Sequence, residues 1–328
     1  MATGRKYRWA IVGAGQIAGK FAEGLAACPQ ALRYAVASRQ MEKAEDFRRQ
    51  FGFEKAYGSY EELWADPDVD IVYVATPNHL HLEHTRRSLM AGKAVLCEKP
   101  FALQAADVRE MVSLAREKKL FLMEALWSRF LPTIRRFKAE MEGGKYGKPL
   151  LLQAEFGFVA KYDENSRLFA PSLGGGAVYD IGIYPLFLAL FLFGKPNSIE
   201  VVSVPAPTGT DMTTAILMKH AKGEISMLTA SFAMRLECDA KLYLSGGSLR
   251  LCRMFHMPTQ LTCSMGDDLP SEIEVETISN GYNYEAQEVM DCLDRGVTES
   301  DRWSHEMSID LMELIDRVNQ KAKEQFDR

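Results

Sequence analysis

The chain has 328 residues, 47% of them hydrophobic and 25% charged, with 39 Lys and Arg against 44 Asp and Glu for a net charge of −5. That length exceeds what one hydrophobic core usually serves and predicts two domains; the charge balance, without a basic block or interleaved aromatic stripe, argues against a nucleic-acid partner. Six scattered cysteines form no C-x-x-C pair, which points away from a zinc site or disulfide framework and towards a reducing cytoplasm.

Arg5, Lys6 and Arg8 precede an apolar run too short and too glycine-rich for a signal peptide. That run, Trp9-Ala10-Ile11-Val12, reads as a strand and leads directly into Gly13-Ala14-Gly15-Gln16-Ile17-Ala18, followed by a helical pattern. This is G-x-G-x-x-A in strand-turn-helix context: Gly13 permits the tight turn, Gly15 lets a pyrophosphate approach the backbone, and Ala18 lets helix and sheet pack closely. The amides of Gln16 and Ile17 then face phosphate at the helix N-terminus. The next strand, 34–37, ends at Ser38-Arg39, where an NAD-binding chain usually places an acid for the ribose hydroxyls. Serine and arginine suit a ribose phosphate instead, so NADP is expected, with NAD possible.

Ser59-Tyr60-Glu61-Glu62 is a capping box, and Asp66-Pro67 ends its helix. A fourth strand, 70–75, stops at Thr76-Pro77-Asn78, where Asn78 is expected to cap a helix and His81 to pack or hydrogen-bond near the cofactor. No cysteine or acid cluster joins His79, His81 and His84, so no metal is expected. An apolar run then ends at Cys97-Glu98-Lys99-Pro100, placing a charged pair where a parallel strand leaves the sheet, the rim at which such sheets bind ligands. Pro100 restricts Lys99 to extended conformations and admits a cis bond. A helix at 105–118 and a strand at 120–123 complete six strands alternating with helices: an α/β doubly wound parallel sheet over residues 1–127.

From residue 128 the pattern changes. Segments 150–158, 199–204, 213–218, 224–232, 241–245, 249–253 and 273–278 read as strands with few helices between them, predicting an α+β domain, 128–328, with a large, mostly antiparallel open sheet. Within it Gly174-Gly175-Gly176 opens an apolar helix on which Asp180 and Tyr184, four apart, share a face. The run 181–193 is interrupted by Pro185 and has the length of a buried core helix, not of a membrane span. Residues 284–295 and 303–323 are the closing helices. Alternation in 224–232 puts apolar groups on both faces of the sheet, and an uncovered apolar face predicts a homodimer, or a dimer of dimers, joined through it.

Gly13 to Ala18, Ala75-Thr76-Pro77-Asn78 with His81, Glu98-Lys99-Pro100, and Gly174-Gly175-Gly176 with Asp180, in that order and spacing, resemble the glucose-fructose oxidoreductase, inositol dehydrogenase and rhizopine-catabolism family across essentially the whole chain. Most members carry histidine four residues after the aspartate; here it is Tyr184. That departure, with Leu122-Met123-Glu124-Ala125-Leu126-Trp127 and Ala154-Glu155-Phe156-Gly157, is similar to the branch of dimeric trans-dihydrodiol dehydrogenases and NADP-dependent D-xylose dehydrogenases. The resemblance implies hydride transfer between NADP and a hydroxyl carbon of a sugar or cyclic diol. It also implies cofactor contacts at Gly13, Gly15, Gln16, Ile17, Ser38, Arg39, Thr76, Asn78, His81, Glu98, Lys99, Trp127 and Arg129. Substrate contacts are implied at Lys99, Trp127, Phe156, Asp180 and Tyr184. Lys99, Tyr184 and Asp180 form the expected catalytic set. A lysine ammonium within about 4 to 6 Å favours a tyrosinate, which makes Tyr184 the proton acceptor; the residues leave Lys99 itself open as the base. The competing function on this fold is a catalytically idle dinucleotide or sugar sensor.

Overall fold

The structure, a computed structural model, describes residues 4–326 and forms two compact units, 4–130 with 278–309 and 131–277 with 310–326. In the first, strands and helices alternate: β1 (Tyr7–Val12), α1 (Gln16–Leu25), β2 (Ala31–Ala37), α2 (Met41–Phe51), β3 (Lys55–Tyr57), α3 (Tyr60–Ala65), β4 (Ile71–Val74), α4 (His81–Met90), β5 (Ala94–Glu98), α5 (Ala105–Lys118) and β6 (Leu122–Ala125). The six strands pair in parallel in the order β3-β2-β1-β4-β5-β6. β4 and β5 are buried along their whole length, which is why they read as unbroken apolar runs. Ser59 Oγ accepts the Glu62 N–H at 3.3 Å, starting α3 as its capping box predicts. The strand order reverses at β1, between β2 and β4, and the carboxyl ends of β1, β2, β4, β5 and β6 carry Gly13, Ser38, Thr76, Lys99 and Trp127 respectively. A crevice at that rim is the ligand site such sheets provide.

The second unit contains α6 (Pro132–Glu142), β7 (Pro149–Gly157), α7 (Ile183–Phe193), β8 (Ser198–Pro205), β9 (Asp211–Lys219), β10 (Ile225–Ser231), β11 (Ala240–Leu244), β12 (Gly247–Leu251), β13 (Leu261–Met265) and β14 (Ser271–Ile273). One eight-stranded sheet runs β14-β13-β12-β11-β7-β10-β9-β8, antiparallel except for the central pair of β7 with β10. β13 is a strand the sequence reading passes over. The expected strand at 273–278 contracts to β14, which pairs with β13 only through residues 271–273 and continues irregularly among exposed acids. α7 is apolar on every side because it is a core helix, and Pro185 lies just after the π-helical turn, Val178–Gly182, that runs into it. The run Pro171–Phe193 is long and apolar enough to cross a membrane by length and composition, and most of it is buried inside this unit.

Two helices close the chain, α8 (Tyr282–Asp294) and α9 (His305–Phe326). The expected division at residue 127 is corrected here, because segment Ile278–Ile309 belongs to the first unit. α1 packs on α8, with Gly24 so close to Tyr282 that an added Cβ would lie 2.7 Å from the tyrosine's own. Polar bonds complete the attachment: Tyr7 donates to Asp294 at 2.7 Å, and the buried Glu124 carboxylate accepts from Trp303 Nε1 at 3.1 Å and Ser308 Oγ at 2.8 Å. Burial pushes the Glu124 carboxyl up to about 7.

Candidate active site

The glycine turn has the form a dinucleotide needs. Gly13 has φ +103°, and a Cβ there would lie 2.9 Å from the Ala75 carbonyl oxygen, so only glycine fits between β1 and β4. Gly15 caps α1 in extended conformation, and a Cβ on it would meet nothing within 4 Å. The first turn of α1 holds no acid, leaving the Gln16 and Ile17 amides to an anion. Beside it, Ser38, Arg39, Gln40 and Lys43 line a depression of about 410 Å³. Two cations and a hydroxyl in one hollow fit a ribose phosphate, and Lys43 is a member the sequence reading missed although it lies only four residues beyond Arg39. Together these groups fit NADP on donor chemistry alone.

The Thr76 loop departs from expectation. Asn78 caps no helix: it opens a 3₁₀ turn, Asn78–Leu80, because Pro77 precedes it, and Leu80 is the N-cap of α4 without a side-chain bond. His81 is fully buried, with Nδ1 2.8 Å from the Pro100 oxygen and Nε2 2.8 Å from the Thr76 oxygen. It therefore links the loop after β4 to the loop after β5, each ring nitrogen facing a main-chain carbonyl, and the neutral ring donates to one of the two. Desolvation pushes it down to about 4. His84 Nδ1 lies 2.9 Å from Thr76 Oγ1, and burial lowers its pKa as well.

β5 ends at Glu98, and the Lys99–Pro100 peptide bond is cis. Glu98 is 5% exposed; one carboxylate oxygen accepts from the Tyr73 hydroxyl and the other from the Lys99 N–H at 3.1 Å. Burial raises its pKa. Its carboxylate is thus engaged within the first unit and bonds the turn carrying Lys99. Trp127 and Arg129 lie in a 3₁₀ turn after β6, and the Trp127 indole stacks on Tyr282 at 4.3 Å with planes 7° apart. Glu285 on α8, also missed, is fully buried with neither oxygen hydrogen-bonded among the described residues; burial, with the Glu98 charge adding, raises its pKa far above the usual range.

In the second unit, a π-helical turn, Val178–Gly182, carries Asp180 and passes directly into α7 with Tyr184. π turns are rare and frequently mark functional sites. Tyr184 is 6% exposed; its ring lies 5.7 Å from Phe156 and 4.8 Å from His256, and Phe156 and His256 stack at 4.3 Å. Sequence reading named Phe156 but not His256, an isolated histidine in the loop after β12. Asp180 Oδ1 accepts from Arg167 Nη1 at 2.8 Å, so part of its charge is met from the polar 161–168 loop. The glycine run is explained by packing: a Cβ on Gly175 would lie 2.8 Å from the Phe169 backbone, and one on Gly176, at φ +126°, 2.2 Å from Asp211 Oδ1. The structure therefore gathers Gly13, Gly15, Gln16, Ile17, Ser38, Arg39, Thr76, Asn78, Lys99, Trp127 and Arg129 along the first unit's rim. Phe156, Asp180 and Tyr184 are gathered in the second unit.

Comparison with known proteins fits both halves. The description "Oxidoreductase family, NAD-binding Rossmann fold" matches residues 7–126, and the GFO/IDH/MocA C-terminal domain matches 134–250. Mouse trans-1,2-dihydrobenzene-1,2-diol dehydrogenase is 37% identical over 307 residues, covering 89% of this chain and 90% of its own. The human enzyme of that name is 36% identical over 304 residues, covering 89% and 90%. Among solved structures, an aldose-aldose oxidoreductase from Caulobacter crescentus superposes with TM-score 0.89 at 24% identity over 98% of both chains, a likeness of fold. A 3-ketoreductase from Actinomadura kijaniata, in complex with NADP and TDP-benzene, superposes with TM-score 0.86 at 25% identity over 97% of this chain and 98% of its own. A parallel nucleotide-binding unit joined to this open-sheet unit, with such relatives along nearly its whole length, places the chain in the GFO/IDH/MocA oxidoreductase family, on its trans-dihydrodiol dehydrogenase branch, as an NAD(P)-dependent dehydrogenase of CH–OH groups.

Proposed function

We propose that the substrate is a sugar or cyclic diol with neighbouring hydroxyls, of the trans-dihydrodiol or D-xylose type, and that Lys99, Asp180 and Tyr184 act on it together. The observation that carries this reading is the pairing of Asp180 with Tyr184, one turn apart, where the tyrosine ring is held by Phe156 and His256. Two polar groups one helical turn apart suit two neighbouring hydroxyls, and flanking rings suit a sugar face or a planar diol. A dinucleotide held by the Gly13–Gly15 turn, Ser38 and Arg39 would supply the hydride acceptor for the substrate carbon. The chain's part is the proton: the Tyr184 oxygen receives it from the substrate hydroxyl as C–O becomes C=O, and the Lys99 ammonium favours the phenolate that does so. Asp180 orients the lysine or holds the second hydroxyl. In the alternative assignment Lys99 is the base and Tyr184 binds substrate. Substrate screening with purified enzyme over aldopentoses, aldohexoses, inositols and cyclic diols tests the reading.

NADP preference is expected to reside in Ser38, Arg39 and Lys43. An arginine–phosphate bond contributes about 1.5 to 3 kcal/mol, roughly ten- to a hundredfold in affinity. Arg39→Asp is therefore expected to abolish or reverse the ratio of NADP to NAD affinity, as titration with each nucleotide will read; an unchanged ratio assigns the ribose to other groups.

A homodimer, or a dimer of dimers, through the second unit's sheet belongs to the same reading. Val202, Val204, Leu217, Ile225 and Met227 are exposed on one face, and they are neighbours across β8, β9 and β10, where Val202 pairs with Ala215 and Met227 with Leu217. An apolar face of this kind marks an interface. Light scattering at micromolar concentration is expected to give at least twice the chain mass of 36.9 kDa, and a monomer would remove the proposal. A cytoplasmic setting accords with six free cysteines, five of them buried.

A further inference from the structure

Asp211 opens β9, is 6% exposed, and takes no part in the chemistry above. Its Oδ2 accepts from the Val178 N–H at 2.9 Å and from Thr214 Oγ1 at 3.1 Å, and the Ala177 N–H also donates to this carboxylate. These are the first free amides of the segment that carries Asp180 and Tyr184. That segment has no side-chain cap of its own. Gly176, whose Cβ would fall 2.2 Å from Asp211 Oδ1, is the concession the backbone makes to bring the carboxylate in. Asparagine or serine caps a helix without the cost of burying a charge. A carboxylate adds shorter, charge-assisted bonds and accepts only, so it fixes two N–H directions at once.

We propose that Asp211 is a positioning residue for the reaction: by clamping the start of the π turn from a neighbouring strand, it holds Asp180 and Tyr184 in register with Phe156 and His256. This rests on the reading of Tyr184 as a group that touches substrate. The groups facing the carboxylate are the Val178 and Ala177 amides, Asp211's own amide and the Thr214 hydroxyl; the titratable groups along the same segment are Tyr179, Asp180, paired with Arg167, and Tyr184. Burial pushes Asp211 up to about 6, partly offset by those donors. Because this folded pKa lies above the unfolded one, Asp211's contribution to stability is full below the unfolded value and is lost as pH rises through about 6. Acidification therefore does not unfold the turn. It replaces an acceptor by an O–H donor and re-aims the helix, so turnover falls while stability does not.

The test compares Asp211→Asn, Thr214→Val, Tyr184→Phe and the unaltered enzyme. Asp211→Asn is expected to lower kcat by about ten- to a hundredfold, the scale of a small misplacement, with NADP affinity within about twofold because the glycine turn lies in the first unit. It is also expected to lose the fall in turnover near pH 6. Thr214→Val removes one donor to the ionised form, so the acid limb is expected to move to higher pH. Unchanged kcat per folded molecule in Asp211→Asn overturns the proposal and leaves a cap that serves stability alone. If that variant does not fold, an unmoved acid limb in Thr214→Val overturns it equally. Near-normal Tyr184→Phe would instead overturn the reading of Tyr184, whereas impaired Tyr184→Phe beside unaffected Asp211→Asn overturns only this inference.

Discussion

Tyr184→Phe and Lys99→Met will each lower turnover by about a hundredfold or more, the range for lost acid–base catalysis, while NADP still binds. A free tyrosine titrates near 10, so at neutral pH its phenolate is scarce without a cation beside it. Removing either the oxygen that takes the proton or the charge that readies it should therefore cost about equally, and the double variant should lose little more than either single one, because the two act as a unit. Asp180→Asn should cost less than either, since the carboxylate orients and Arg167 already meets part of its charge at 2.8 Å. Steady-state kinetics with a fluorescence titration of NADP separates the terms. Near-normal turnover in Tyr184→Phe with a dead Lys99→Met would assign the base to lysine; near-normal turnover in both would remove these residues from the chemistry.

Gly176→Ala and Gly15→Ala are expected to have opposite phenotypes. At Gly176 the added methyl would lie 2.2 Å from Asp211 Oδ1 and the backbone is at φ +126°. Positive φ costs about 1 to 3 kcal/mol, overpacking about 1 to 3, and an Asp211 pushed off the Val178 amide leaves a buried donor worth about 1 to 3 more. A loss of about 3 to 9 kcal/mol is expected, enough to unfold the second unit in moderate urea. Gly15→Ala meets nothing within 4 Å and should fold normally yet lose NADP affinity, because the methyl occupies the approach to the helix N-terminus. Chemical denaturation and nucleotide titration of both variants check this; a stable Gly176→Ala would show that Asp211 moves at no cost.

What could be read from sequence follows locality. Six strand–helix alternations fixed the parallel sheet because each strand declares itself in a few residues, and Lys99 stood out because a charge and a proline follow a buried strand. Asp180 and Tyr184 were visible as two polar groups at helical spacing in an apolar run. Asp211, His256 and Glu285 were not, because each is a lone residue whose partner comes from elsewhere in the chain: Val178 lies 33 residues before Asp211, and His256 meets a tyrosine on α7. The allegiance of 278–309 was hidden for the same reason, resting on bonds such as those that Trp303 and Ser308 make to Glu124. At Asn78 the cap rule failed because Pro77 starts a tighter turn first.

The most direct test of the account is the NADP-dependent absorbance change of the purified enzyme screened over aldopentoses, aldohexoses, inositols and cyclic diols. The account predicts NADPH formation with at least one substrate bearing neighbouring hydroxyls, faster with NADP than with NAD. Saturable binding of NADP without turnover on any member of the panel would contradict it.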